Sequence, residues 1–211
     1  KCFISNAGAA NFIVVYAKTD REAGARGVSA FVIEPEAMDG VDIASNERTM
    51  GLKGGHVFGI SLDCYVPAEN LIGDEGTGFR TAMKVLDNGR IEVAAQATGI
   101  AVAALKAAIS YAKERKVGGH PIGDFQGLQF MLADSATDLA AARALSMQAA
   151  VKRGTIARYS TESALAKLFA TEAAWRIADN ALQIHGGYGY TRDFPLERYL
   201  RDLRIFRIYE G

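Results

Sequence analysis

Glu210 follows Ile208 and Tyr209 and precedes Gly211, a carboxylate in apolar surroundings where desolvation favours the neutral form and suits the group to accept a proton. By itself it also reads as an ordinary surface glutamate. Asp87 and Arg90 stand at i,i+3 on a helical stretch, where Arg90 could reach a phosphate or carboxylate, or the two could form a solvated pair. Gly186-Gly187-Tyr188-Gly189, with Gln183 upstream, could turn backbone N–H groups toward an anionic or planar ligand, or could simply stop a helix. His185 is a candidate proton carrier or a packed core histidine. With only His56, His120 and His185 in the chain and no carboxylate at ligand spacing, no metal site is expected.

The chain that must position these groups has 211 residues, 49% hydrophobic and 23% charged, enough to bury a sizeable core as one large domain or two small ones. Its 24 Lys+Arg balance 24 Asp+Glu, so no surplus positive charge exists to neutralise phosphates or anionic lipid; nucleic acid and membrane partners are not expected. The apolar run from Ile91 to Leu105 is interrupted by Glu92, Gln96 and Thr98 and reads as too short and polar to span a bilayer. Cys2 and Cys64 match no zinc spacing and suit two buried thiols rather than a disulfide. The ends, Lys1-Cys2-Phe3-Ile4 without an initiator Met and Ile208-Tyr209-Glu210-Gly211 within apolar sequence, read as those of an internal piece of a longer protein.

Up to about residue 70 the apolar period is that of strands. Phe12 to Ala17 and Val28 to Ile33 are compact runs, and Phe58, Ile60, Leu62, Cys64 and Val66 alternate with polar neighbours, which reads as antiparallel β-structure. Beyond the Gly73 to Gly78 segment the period becomes helical. A long helix is expected from Phe79 to about Lys116 with Thr77 as N-cap. A second starts behind Asp124 and ends at Gly154, with Phe125, Leu128, Leu132, Leu139, Ala142, Leu145 and Ala149 as its stripe. A third runs from Ser160 or Thr161 to the Gly186 stop with Leu165, Leu168, Trp175, Ala178 and Leu182 on one side, and a short fourth covers Pro195 to Arg204. The predicted class is α+β, an antiparallel β-domain over residues 1–75 followed by an α-helical bundle over 76–211.

In their order and spacing, several stretches closely resemble the acyl-CoA dehydrogenase family of flavoenzymes, nearest to its short-chain and related bacterial branches. They are Lys1-Cys2-Phe3-Ile4-Ser5-Asn6, Val66-Pro67-Ala68-Glu69-Asn70-Leu71-Ile72-Gly73 with Gly76-Thr77-Gly78-Phe79, Leu86-Asp87-Asn88-Gly89-Arg90, Glu114-Arg115-Lys116, Phe125-Gln126-Gly127-Leu128-Gln129-Phe130, Gln183-Ile184-His185-Gly186-Gly187-Tyr188-Gly189-Tyr190, Arg201-Asp202 and Ile208-Tyr209-Glu210-Gly211.

The resemblance implies FAD held between the two domains and oxidation of the Cα–Cβ bond of a fatty acyl-CoA to a trans-2-enoyl-CoA, with Glu210 as the α-proton base and hydride transfer to flavin N5. It assigns Phe3, Ile4 and Ser5 to the flavin, and Arg115, Gln126, Gln183, Ile184, His185, Gly186 and Gly187 to the FAD of a neighbouring subunit. Asp87, Asn88, Gly89, Arg90 and Gly211 are assigned to the acyl-CoA substrate, and the Glu210 N–H to the thioester carbonyl. It further implies a homotetramer built as a dimer of dimers, electron-transferring flavoprotein as acceptor, and a cytoplasmic location in a bacterium or the mitochondrial matrix in a eukaryote. Gly118 departs from the family's Arg-x-x-Phe-Gly loop, and Gly89 lacks the glutamate of relatives that place the base on this helix. The alternatives are a flavin oxidase or monooxygenase of the same fold and a non-catalytic helical interaction module.

Overall fold

A computed structural model describes residues 1–211 and divides them into two compact units, Lys1–Val85 and Leu86–Gly211. That division falls inside the first long helix.

The first unit is antiparallel throughout. β1 (Ile4–Ser5), β5 (Val57–Leu62) and β4 (Val41–Asn46) form one sheet in that order, and β2 (Ile13–Lys18) pairs with β3 (Val28–Ile33) in a second. Ala7, Ile13, Val15, Ile33 and Ile60 make its core, so the compact β-branched runs are buried strands as their composition requires. The alternation read as far as Val66 ends as a strand at Leu62, and β4 was not foreseen. Cys2 is exposed rather than buried, and both cysteines are free.

The second unit is helical. α1 (Gly78–Glu114), α2 (Gln126–Thr155), α3 (Ser160–His185) and α4 (Leu196–Phe206) are long where the helical period is sustained. Ala97, Ala101, Ala104 and Ala108 of α1 and Ala174, Ala178 and Ala181 of α3 are at most 1% exposed and share one core with Leu196, Leu203 and Phe206 of α4. Small side chains on facing helices permit this close approach. α1 carries a window of mean hydropathy 1.5 and is by length and composition able to cross a membrane, contrary to the reading of its sequence; here its alanine face is packed inside the bundle.

The helix starts also differ in detail. Thr77 precedes α1, but its hydroxyl donates to the Asp74 carbonyl at 2.6 Å. Asp124 closes a short 3-10 turn, and Phe125 occupies the N-cap of α2 without a side-chain cap. On α3, Leu165 and Leu168 are exposed, while Ala166, Ala170, Ala173, Ala174 and Ile177 are buried. Of the expected side, Ala178 is buried and Trp175 and Leu182 pack against the core, whereas at Leu165 and Leu168 the buried face is the neighbouring alanine stripe.

Candidate active site

Just past α4 the backbone turns back, with the Ile208 and Tyr209 N–H groups donating to the Ile205 carbonyl at 2.8 and 3.1 Å. Glu210 follows at φ 63° and Gly211 at φ 85°. A left-handed conformation costs a non-glycine residue about 1–2 kcal/mol, so Glu210 keeps it only because neighbouring groups hold it. Arg90 Nε of α1 donates to the Glu210 carbonyl at 2.8 Å, and Lys167 Nζ of α3 donates to the Gly211 carbonyl at 3.1 Å.

The Glu210 carboxylate lies over the one residue of this α1 turn that has no side chain. A Cβ added to Gly89 would come within 2.7 Å of Glu210 Oε2, so glycine here makes room for the acid. The neighbours of Gly89 are committed to the protein. Asp87 Oδ1 accepts from Arg90 Nη1 at 3.1 Å, and Asp87 Oδ2 accepts from the Ser160 hydroxyl at 2.5 Å. Asn88 Oδ1 accepts from the Tyr159 hydroxyl at 2.6 Å. Asp87 thereby orients Arg90, and the start of α3 is tied to this turn of α1.

Two titratable groups flank the acid. Burial, and to a lesser degree the charge of Glu210, pushes the Tyr209 phenol up to about 12. Burial and the Arg90 guanidinium lower the Lys167 ammonium from its usual value, opposed by the charges of Glu210 and Glu172. Glu172 is itself paired with Arg207 at 2.7 Å, whose guanidinium stacks over Trp175.

A second feature of the helical unit is a cavity of about 460 Å³ lined by Tyr111, Arg115, Ile122, Ile184, His185, Gly186 and Gly187, among others. Gly186 has φ 58°, and no atom lies within 4 Å of an added Cβ at Gly186 or Gly187, so the backbone there is open to a ligand. His185 is 3% exposed, its Nδ1 lies 2.8 Å from the Ala181 carbonyl, and its ring stacks on Tyr111 at 4.2 Å. It packs the cavity wall, which displaces the proton-carrier reading.

In the β-unit, Phe3 is 75% exposed and leads into β1, where Ile4 faces Phe58 and Ser5 faces Val57. The structure thus gathers Asp87, Asn88, Gly89, Arg90, Glu210 and Gly211 into one cluster, and Arg115, Ile184, His185, Gly186 and Gly187 into one cavity. Gln126 and Gln183 are exposed and absent from that lining. Lys167 was missed; its only signal is a charge on an otherwise small-residue helix face.

The C-terminal domain of acyl-CoA dehydrogenases matches residues 76–211. Over its whole length the chain is 46% identical to acryloyl-CoA reductase (NADH) of Anaerotignum propionicum, of which it covers 54%. It superposes with a TM-score of 0.95 on a chain from a structure of the electron-transferring flavoprotein of Acidaminococcus fermentans, at 48% identity, covering all of this chain and 56% of that one. The structure of butyryl-CoA dehydrogenase from Megasphaera elsdenii gives the same TM-score at 43% identity, with all of this chain and 55% of that one covered. The chain therefore spans about half the length of these relatives. Matched over its helical half by the family's own domain and over its whole length by such relatives, the chain belongs to the acyl-CoA dehydrogenase family.

Proposed function

We propose that the full-length protein catalyses FAD-dependent α,β-dehydrogenation of a short acyl-CoA to the trans-2-enoyl-CoA, with Glu210 as the base. The observation that carries this reading is the Glu210 carboxylate, set over Gly89 by a strained backbone whose carbonyl accepts from Arg90. An α-proton beside a thioester is weakly acidic, so its removal needs a fixed carboxylate within hydrogen-bond reach. Glu210 accepts that proton, its backbone N–H polarises the thioester carbonyl, and Arg90 with Asp87 keeps the turn in place.

The open Gly186-Gly187 backbone, the Arg115 guanidinium and the aromatic wall of the cavity fit a dinucleotide with anionic and planar parts, and exposed Phe3 fits a planar ring. On this reading Phe3, Ile4 and Ser5 meet the flavin of one FAD, while Arg115, Gln126 and the segment Gln183, Ile184, His185, Gly186, Gly187 meet the FAD of a neighbouring subunit. Bound there, FAD supplies the acceptor for the β-hydrogen, which leaves as hydride while the α-proton goes to Glu210. A homotetramer with electron-transferring flavoprotein as redox partner completes the proposal.

Anaerobic addition of butyryl-CoA to the full-length protein tests it: bleaching of the flavin absorbance is expected, and an unchanged spectrum would contradict it. The similarity to an acryloyl-CoA reductase favours a second reading, in which the same groups run in reverse and Glu210 returns the α-proton to an enoyl-CoA. Rates measured in both directions on one preparation separate the two.

A further inference from the structure

Lys167 is 4% exposed in the N-terminal half of α3, where the buried neighbours on its helix are alanine, serine and threonine. Burying an ammonium is costly unless its protons are used. Its Nζ donates to the Gly211 carbonyl at 3.1 Å, while Arg90 Nε donates to the preceding carbonyl, that of Glu210, at 2.8 Å. Two cations from two different helices therefore hold consecutive carbonyls at a residue with φ 63°. Arg90 has a second anchor in Asp87. Lys167 has no ion pair of its own, and the nearby Glu172 is taken by Arg207.

From this geometry we infer that Lys167 is a positioning residue for Glu210, clamping the Gly211 carbonyl so that the strained turn keeps the carboxylate over Gly89. The inference rests on Glu210 being the base. A charged donor makes a shorter and stronger hydrogen bond to a carbonyl than a neutral one, so the clamp weakens when Lys167 loses its proton. The groups facing it are Arg90 from α1, Glu172 from its own helix, with Arg207 behind Glu172, and Glu210 from the turn, with Tyr209 beside Glu210. Burial and Arg90 lower its proton affinity, whereas Tyr209 titrates only near 12. Flavin reduction should therefore decline on the alkaline side below the usual lysine range.

The test uses the full-length holoenzyme and stopped-flow reduction by butyryl-CoA for the wild type, Lys167→Met, Lys167→Arg and Glu210→Gln. Lys167→Met is expected to retain FAD and to bind butyryl-CoA within about threefold of wild type while reducing flavin at least tenfold more slowly. Lys167→Arg should restore the rate to within about threefold and move the alkaline decline to higher pH, because guanidinium does not titrate there. If Lys167→Met does not fold, the pH profiles of wild type and Lys167→Arg decide. Superimposable profiles, or a folded Lys167→Met that reduces flavin at the wild-type rate, would overturn the role of Lys167 while leaving the base intact. A Glu210→Gln enzyme that reduces at the wild-type rate would remove the base and this inference with it.

Discussion

Replacing Gly89 with alanine separates the stability of α1 from the placement of the acid. The new Cβ would stand 2.7 Å from Glu210 Oε2 and 3.2 Å from Cδ, against about 3.4 Å or more for an ordinary contact of this kind, so Oε2 must retreat by roughly 0.7 Å. Arg90 and Lys167 fix the backbone at either side of the acid, and the side chain must rotate. A misplacement approaching 1 Å costs about 100-fold in a positioned reaction. Folding moves the other way, because alanine is favoured over glycine within a helix by about 0.5–1 kcal/mol, or about 1–4 °C in Tm. The atom displaced is the far end of a flexible side chain, which offsets little of that gain. Differential scanning fluorimetry and stopped-flow flavin reduction on the full-length protein should show an unchanged or raised Tm with a rate about 100-fold lower. A raised Tm with a rate within threefold of wild type would refute the claim that the carboxylate over Gly89 is the working group, and a lowered Tm would show that Gly89 serves helix packing instead.

Further outcomes are expected from the same geometry. Arg90→Ala removes one carbonyl anchor and a part-buried pair with Asp87; stability should drop by about 1–3 kcal/mol, while butyryl-CoA binding and flavin reduction both weaken, and unchanged kinetics would make Arg90 purely structural. Tyr209 stays protonated when folded up to about 12 but ionises near 10 when unfolded, so its contribution to stability is complete below pH 10 and is lost as pH rises toward 12. Tyr209→Phe should flatten that decline in urea midpoints between about pH 10 and 12. Lys167 acts in the opposite sense, because the unfolded chain holds its proton to higher pH than the folded one; its burial penalty is relieved as pH climbs toward the usual lysine value, and Lys167→Met should make the alkaline decline steeper. Gly118 and Gly119, at φ 62° and 90°, form the two-residue turn between Lys116–Val117 and His120–Pro121, as such hairpins require. Gly118→Ala should lower stability by about 1 kcal/mol, read as a shifted denaturant midpoint.

Strands β2 and β3 and all four helices were legible because their apolar periods are sustained over their whole length. β4 was not, since only Val41 and Ile43 alternate before Ala44-Ser45-Asn46 turns polar. At Leu165 and Leu168 the face of α3 was misjudged for a physical reason: helices that approach closely bury alanine, so these two large side chains mark the face this chain leaves open. Glu210, Arg90 and Gly89 were visible as residue types at suggestive positions, but that they meet depends on a left-handed backbone at Glu210 and on contacts spanning 120 residues, which no local pattern encodes. Lys167 was hidden for the same reason, its partner Gly211 lying 44 residues away.

The central claim is that Glu210 removes the α-proton, and Glu210→Gln in the full-length holoenzyme tests it most directly, since glutamine preserves shape and cannot accept that proton. With FAD content and butyryl-CoA binding near wild type, the rate of anaerobic flavin reduction is expected to fall by about 10³-fold or more. A variant that keeps its flavin and is reduced at a rate close to wild type would contradict the account and place the base on another residue.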